Sequence, residues 1–220
     1  MARKRVAIFI SGRGSNMQAL IEAAKNKDYP AEIALVVSNR PDAAGVAYAR
    51  EAGITATIVD HADYGKDREG FERALQSVLH SSGIEIVCLA GFMRLLTPWF
   101  VNKWQGRMIN IHPALLPEFK GLDTHARALA AGAKIHGATV HFVSADMDGG
   151  PIICQGTVPV LEGDTPTTLA ARVLTVEHRI YPVALKWLAE GNLRVTDGRC
   201  SVRGTTIPDG IIVPTAASSA

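Results

Sequence analysis

Apolar positions in this chain recur with two periods, and their alternation lays out the elements. Arg5 to Ile10 reads as a continuous apolar, β-branched and aromatic run, the pattern of a buried strand. Ser11-Gly-Arg-Gly-Ser-Asn16 follows at once, and then Met17, Leu20, Ile21 and Ala24 recur at helical spacing. Glu32 to Ser38 is a second strand, Asn39-Arg-Pro41 a loop, and Ala43 to Ala52 a helix ended by Gly53. Ile54 to Val59 is a third strand. Asp67 to Leu79 is an amphipathic helix with Phe71, Leu75 and Val78 on one side, and Ile84 to Ala90 is a fourth strand. This βαβαβαβ rhythm predicts a parallel sheet with helices on both faces. Right-handed crossovers then place the loops after the strands along one edge, where such sheets bind ligands. Gly12 to Asn16, Gly91 to Leu96 and Asn110 to His112 are therefore expected to open on one cleft.

The second half has a different rhythm. Pro98 to Trp104 is a short helix, and Met108 to His112 a strand that stops at Pro113. His125 to Ala131 forms a helix, and His136 to Val143 alternates as a strand. Asp146 to Pro151 is a turn-rich loop, and Ile152 to Val160 another strand; a loop so short makes the two strands antiparallel. Thr165 caps a long helix with Pro166 in its first turn; the helix runs to about Glu190, is expected to kink at Pro182 and ends at Gly191. Leu193 to Arg203 forms a small hairpin. The expected fold class is α/β: a single domain over residues 1–204 with a mostly parallel, doubly wound sheet, Rossmann-like in its N-terminal half. Antiparallel strands and the long C-terminal helix extend it, and a Pro-, Ser- and Ala-rich tail over 205–220 is expected to be loose.

Composition narrows the class. The 220 residues are 47% apolar and 20% charged, which suits a soluble enzyme-sized core. A net charge of +2 is too weak to imply nucleic-acid or membrane partners. The apolar run Val6 to Ile10 is too short for a signal peptide, and no window approaches a membrane span. The three cysteines, Cys88, Cys154 and Cys200, form no CxxC pair, which fits reduced thiols and a cytoplasmic protein.

Three stretches carry candidate chemistry. A strand, a Gly-rich turn and a helix in succession make a phosphate cradle, with backbone N–H groups and the helix N-terminus facing the anion. The spacing is neither G-x-G-x-x-G nor a P-loop, so it does not argue for a dinucleotide or ATP. A plain βα turn with Ser15-Asn16 as N-cap would look the same. Gly91-Phe-Met-Arg-Leu-Leu96 is oddly apolar for a loop, so it lines a pocket or packs under the following helix. In the strand Met108 to His112, alternation puts Asn110 and His112 on one face. An amide and an imidazole side by side suit the stabilisation of an oxyanion, although a polar strand end can also simply cap a loop. A carboxylate from Asp148 beside His112 would orient the ring, favour its charged form and raise its pKa; an Asp in an Asp-Gly-Gly turn can equally be turn chemistry. No activated Ser, Cys or Lys nucleophile accompanies them, so the attacking group must come from a substrate. His112, His125, His136 and His141 show no metal-binding helical spacing, and the histidines other than His112 read as structural or solvent-facing.

The stretches VAIFISGRGSN, VVSNRPDAAGVAYA, VCLAGFMRLL, INIHPALLP, HGATVHFVSADMDGGPIICQ and VEHRIYP, in this order over about residues 5 to 190, resemble the phosphoribosylglycinamide formyltransferase family. This is the folate-dependent glycinamide ribonucleotide transformylase family of purine synthesis. The resemblance implies transfer of the formyl group of 10-formyltetrahydrofolate to the amine of glycinamide ribonucleotide, with no metal and no ATP. It implies a catalytic trio of Asn110, His112 and Asp148. It implies a ribonucleotide site with Gly14, Ser15 and Asn16 on the phosphate and Glu177 on the ribose. It places Arg68, Met93, Arg94, Leu95, Leu96 and Asn110 on the folate. The implied partners are these small molecules, without nucleic acid or membrane, in a monomer or homodimer. Arg13 stands where a family member can have Asn, and Asp123 where others can have His.

NIHPALLP and DMDGGP are shared with related families, so alternatives stand beside this one. A formyltetrahydrofolate deformylase would use water as nucleophile, need no phosphate cradle and carry an extra domain ahead of strand one, which is expected here from residue 5. A transfer-RNA formyltransferase would carry a second, basic domain, for which the thirty residues after Glu190 are too few. A non-catalytic nucleotide-binding module could use the same sheet.

Overall fold

A computed structural model describes residues 2–214. The chain divides into two compact units, Met1–Asn110 and Ile111–Ala220. The division falls inside a strand, β5 (Met108–His112), rather than in a linker.

The first unit is a parallel sheet of β1 (Lys4–Ile10), β2 (Ala31–Ser38), β3 (Ala56–Ile58), β4 (Ile86–Leu89) and β5, in the order β3-β2-β1-β4-β5. The central strand β1 is wholly buried from Val6 to Ile10, as its unbroken apolar run requires. The strand order reverses between β1 and β4, so the turns after those two strands part from each other and leave a crevice. α1 (Ser15–Ala24), α2 (Ala44–Glu51), α3 (Arg68–Ser81) and α4 (Pro98–Lys103) are the unit's helices. The expected strand Ile54–Val59 is shorter, because Ile54 belongs to the end of α2. Gly53, at φ 75°, and Ile54 donate back to Arg50 O and Ala49 O at 2.9 Å each and close the helix. A 3-10 turn at His61–Tyr64, capped by the Asp60 side chain, was not expected. In α3 the buried face is Phe71, Glu72, Leu75 and Leu79, so a carboxylate stands where periodicity alone predicts an apolar stripe.

In the second unit β6 (Ile135–Phe142) and β7 (Ile152–Pro159) pair antiparallel, as their short connection predicts, with Thr139 opposite Gln155. α5 (Thr124–Ala130) precedes them. The long helix α6 (Pro166–Glu190) starts at a Thr165 capping box and continues through Pro182 to its cap at Gly191. Leu169, Val173, Ile180, Tyr181, Leu185 and Trp187 form its buried face. α6 lies so close to β7 that a Cβ on Gly156 would sit 2.2 Å from Val176 Cγ1. β8 (Leu193–Thr196) and β9 (Arg199–Val202) make the expected hairpin. The chain after Thr205 departs from the expected loose tail. Ile211 is buried, and Ile212 exchanges two backbone hydrogen bonds of 2.8 and 2.9 Å with Gln155 on β7. An open edge on β7 supplies that pairing, which a composition rich in Pro and Ser does not disclose. The remainder of the expected tail, 215–220, lies outside the described residues.

Candidate active site

In the first unit the turn after β1 is built as an anion cradle. Gly14 is the N-cap of α1, left-handed at φ 70°, and no side chain caps the helix. Ser15 and Asn16 therefore stand inside the first turn rather than spending a side chain on its cap. The N–H groups of that turn and the positive end of the helix face outwards. A cavity of about 260 Å³ opens here, with Gly12 to Asn16 on one side and Gly91, Met93 and Arg40 on the other. Arg13 and Arg40 bring positive charge. Arg40 is held in a two-pronged pair with Asp42 at 2.7 and 3.0 Å, which keeps the Asp42 carboxyl below the usual carboxylate range. Arg40 was not expected; it lies in the loop after β2, on the same edge of the sheet.

The apolar loop joins this cavity through Gly91 and Met93. Its backbone is anchored, and Phe92 is buried with its ring 5.2 Å from that of Phe9, while Met93 and Leu95 are 68% and 64% exposed. Arg68 Nη2 donates to the Leu95 carbonyl at 2.5 Å, so this residue holds the loop's backbone. Arg94 and Leu96 are half-buried in the same loop. Glu72 accepts from the Thr97 N–H at 2.5 Å and from the Thr97 hydroxyl, fixing the start of α4.

The His112–Asp148 pair lies in the second unit, with His112 at the end of β5. His112 is buried with Nδ1 3.4 Å from Asp148 Oδ2, and its Nε2 donates to the Phe119 carbonyl at 3.0 Å. A carbonyl oxygen only accepts, so Nε2 carries a proton here. Asp148 lies in the turn closed by Gly149 N on Asp146 O, and its carboxylate reaches beyond that turn. It sits at φ 50°, and its Oδ2 accepts from the Gly121 N–H at 2.9 Å. The segment after His112 is pinned by Thr139 and Gln155. Thr139 Oγ1 donates to Ala114 O and accepts from Leu116 N, and Gln155 Nε2 donates to Leu116 O. Asn110 stands two residues before His112 on β5, half-buried. Glu177 is 7% exposed on α6.

Of the two expected alternatives for the other histidines, structural or solvent-facing, His136 and His141 take the buried one. His141 is buried on β6, and its Nε2 lies 3.7 Å from Asp148 Oδ1, so one carboxylate faces two imidazoles. Its Nδ1 donates to Phe142 O at 2.9 Å, and burial lowers its pKa. His125 and His136 stack edge to face at 5.3 Å. Burial, and then His125, push His136 down to about 4, so it is neutral near pH 7. Alternation along β6 puts His141 with Gly137 and Thr139, a signal legible only once Thr139's role is known. Among the described residues no three His, Cys, Asp or Glu side chains converge as metal ligands.

The family described as Formyl transferase matches residues 4–185. Phosphoribosylglycinamide formyltransferase of Escherichia coli (strain K12) is 43% identical, over 92% of this chain and 95% of that protein. Trifunctional purine biosynthetic protein adenosine-3 of Homo sapiens is 48% identical over 88% of this chain, which spans only 19% of that protein's length. Among solved structures, glycinamide ribonucleotide transformylase 1 from Symbiobacterium toebii superposes with a TM-score of 0.88 at 44% identity, over 91% of this chain and 94% of that one. The chain belongs to the phosphoribosylglycinamide formyltransferase family.

Proposed function

We propose that this protein transfers the formyl group of 10-formyltetrahydrofolate to the amine of glycinamide ribonucleotide, with Asn110, His112 and Asp148 as the catalytic residues. The observation that carries the proposal is the buried His112–Asp148 pair at the end of the strand that also bears Asn110. Asp148 takes the Nδ1 side of the ring, which leaves Nε2 as the donor to substrate. The Phe119 carbonyl now on Nε2 occupies the kind of acceptor position that an oxyanion would take. The ribonucleotide's amine attacks the formyl carbon. A carbon–nitrogen bond forms, and the carbonyl electrons move onto oxygen. His112 and the Asn110 amide donate to that oxygen, and the Asp148 carboxylate balances the positive charge on the imidazole. Collapse of the intermediate breaks the bond to the folate nitrogen, which receives the proton lost by the amine. Holding the amine and the formyl group together supplies much of the acceleration.

The remaining assignments follow the same reading. The Gly14–Asn16 turn takes the phosphate, and Glu177 the ribose. The Met93–Leu96 loop, braced by Arg68, takes the folate. Incubating the full chain with 10-formyltetrahydrofolate and each of three acceptors tests the proposal. Formylated ribonucleotide is expected, with no transfer to initiator transfer RNA and little hydrolysis in water alone. Equal folate hydrolysis with and without ribonucleotide would make the protein a deformylase. No turnover at all would leave only a binding module.

A further inference from the structure

The first unit holds a buried polar chain that neither the phosphate cradle nor the catalytic trio uses. Ser11 begins the SGRGSN turn, three residues before Gly14. Its backbone N–H donates to the Gly91 carbonyl at 3.1 Å, and its Oγ accepts from the Met93 N–H at 2.7 Å. One residue thus grips the apolar loop at two points. An N–H can only donate, so the Ser11 hydroxyl proton must go elsewhere, and it goes to Asn39 Oδ1 at 2.5 Å. Asn39, 2% exposed at the end of β2, is held in turn with its Nδ2 3.1 Å from His61 Nδ1. Both sides of the hydroxyl are therefore spoken for, and Ser11 itself is only 8% exposed.

The loop is held in two ways. Phe92 is buried with its ring centroid 5.2 Å from that of Phe9, while the Met93 side chain stands 68% exposed, so at Met93 itself the backbone bond to Ser11 sets the loop's position. The same cavity of about 260 Å³ is lined by Ser11, by Gly14 to Asn16 and by Met93. A ligand in the turn would therefore occupy the cavity that Ser11 and Met93 share.

We propose that Ser11 is a positioning residue that couples the phosphate turn to the apolar loop, so that filling the first sets the geometry of the second. This rests on the ribonucleotide-and-folate reading given above. The ligand at the turn is a phosphomonoester, and the ligand at the loop is the reduced folate. A hydroxyl that merely satisfied buried partners would affect stability alone; a coupling residue also changes how one ligand alters the other.

The test measures the dissociation constant of tetrahydrofolate, which has no formyl group to transfer, with and without saturating glycinamide ribonucleotide. Hydrogen exchange at the Met93 amide is followed in the same samples. In the wild-type chain the ribonucleotide is expected to tighten tetrahydrofolate binding by about fivefold or more, the usual lower range of such coupling, and to slow exchange at Met93. Ser11→Ala is expected to weaken tetrahydrofolate binding by about tenfold, the scale of one lost buried hydrogen bond. It is also expected to abolish both ribonucleotide effects, and Ser11→Thr, which keeps the hydroxyl, to restore them. Should Ser11→Ala fail to fold, Ser11→Cys takes its place, sulfur being a weak acceptor, with the same expectations. The proposal is overturned if the wild-type chain shows no ribonucleotide effect on folate binding, or if the folded variant retains that effect in full. Wild-type formyl transfer, measured separately, reports on the underlying reading, so the two can fail independently.

Discussion

At the scale of single residues, conformation decides more than chemistry does. Gly14 has no donor or acceptor on a side chain, yet its left-handed φ of 70° is what turns the chain into α1 with the first N–H groups outward. A Cβ there would lie 3.0 Å from Met17 Cε. Gly14→Ala is therefore expected to cost about 1–2 kcal/mol of stability through the strained backbone. In folded protein it should raise KM for the ribonucleotide far more than KM for the folate, by steady-state kinetics with each substrate varied. Equal changes in both would remove the phosphate from this turn. The residues that sequence reasoning missed share one trait. Ser11 and Glu72 are polar groups bonded to partners distant in the chain, His141 meets Asp148 across the β6–β7 connection, and no local pattern announces such a partner. Asn110, His112 and Asp148 were expected from motif stretches that carry a family resemblance, and the structure puts His112 beside Asp148. That Asp148 faces two imidazoles and the Gly121 N–H could not be read from the motif.

At the scale of elements, the strands were legible and the polar struts between elements were not. Unbroken apolar runs mark β1 and β4, and the Gly-rich turn marks the start of α1, because burial on both faces and a tight βα connection each leave a local signature. Helix boundaries shifted where a cap took over. Ile54 left its expected strand for the end of α2, and α3 begins after Asp67, whose side chain accepts from Gly70 N at 2.8 Å. Glu72 is the clearest strut. It is 1% exposed, and it joins α3 to the start of α4 through the Thr97 N–H and hydroxyl. Glu72→Ala would leave both donors of the half-buried Thr97 without this acceptor, at a cost of about 1 kcal/mol. Chemical denaturation is expected to show that loss, with faster amide exchange in residues 97–101. A loss of stability without faster exchange there would mean that α4 does not depend on Glu72.

For the molecule as a whole, pH is the most informative variable. His125, His136, His141 and His178 all have pKa values lowered chiefly by burial, and His136 falls to about 4. Above pH 6.5 these rings are neutral in both the folded and the unfolded chain, and they cost nothing. As pH falls from 6.5 towards 4, the unfolded chain takes up protons that the folded chain refuses, so stability declines through that window. Lower still, Asp164 adds to the loss. Arg172 holds its carboxyl far below the usual range, so its contribution is present above the ordinary carboxylate pKa and disappears in acid. Denaturant midpoints measured from pH 7.5 to 4 are expected to fall, and to fall less steeply in His136→Phe. An unchanged slope in that variant would show that His136 is charged in the folded protein.

The central claim is that His112 stabilises the oxyanion rather than binding a substrate. The most direct measurement is the single-turnover and steady-state rate of formyl transfer by His112→Ala, together with its affinity for glycinamide ribonucleotide. Loss of one such donor costs about 10²–10³-fold in kcat, and ribonucleotide affinity is expected to stay within about twofold of the wild-type chain, since only the transition-state contact is removed. Near-full turnover, or lost ribonucleotide affinity with kcat intact, would contradict the account.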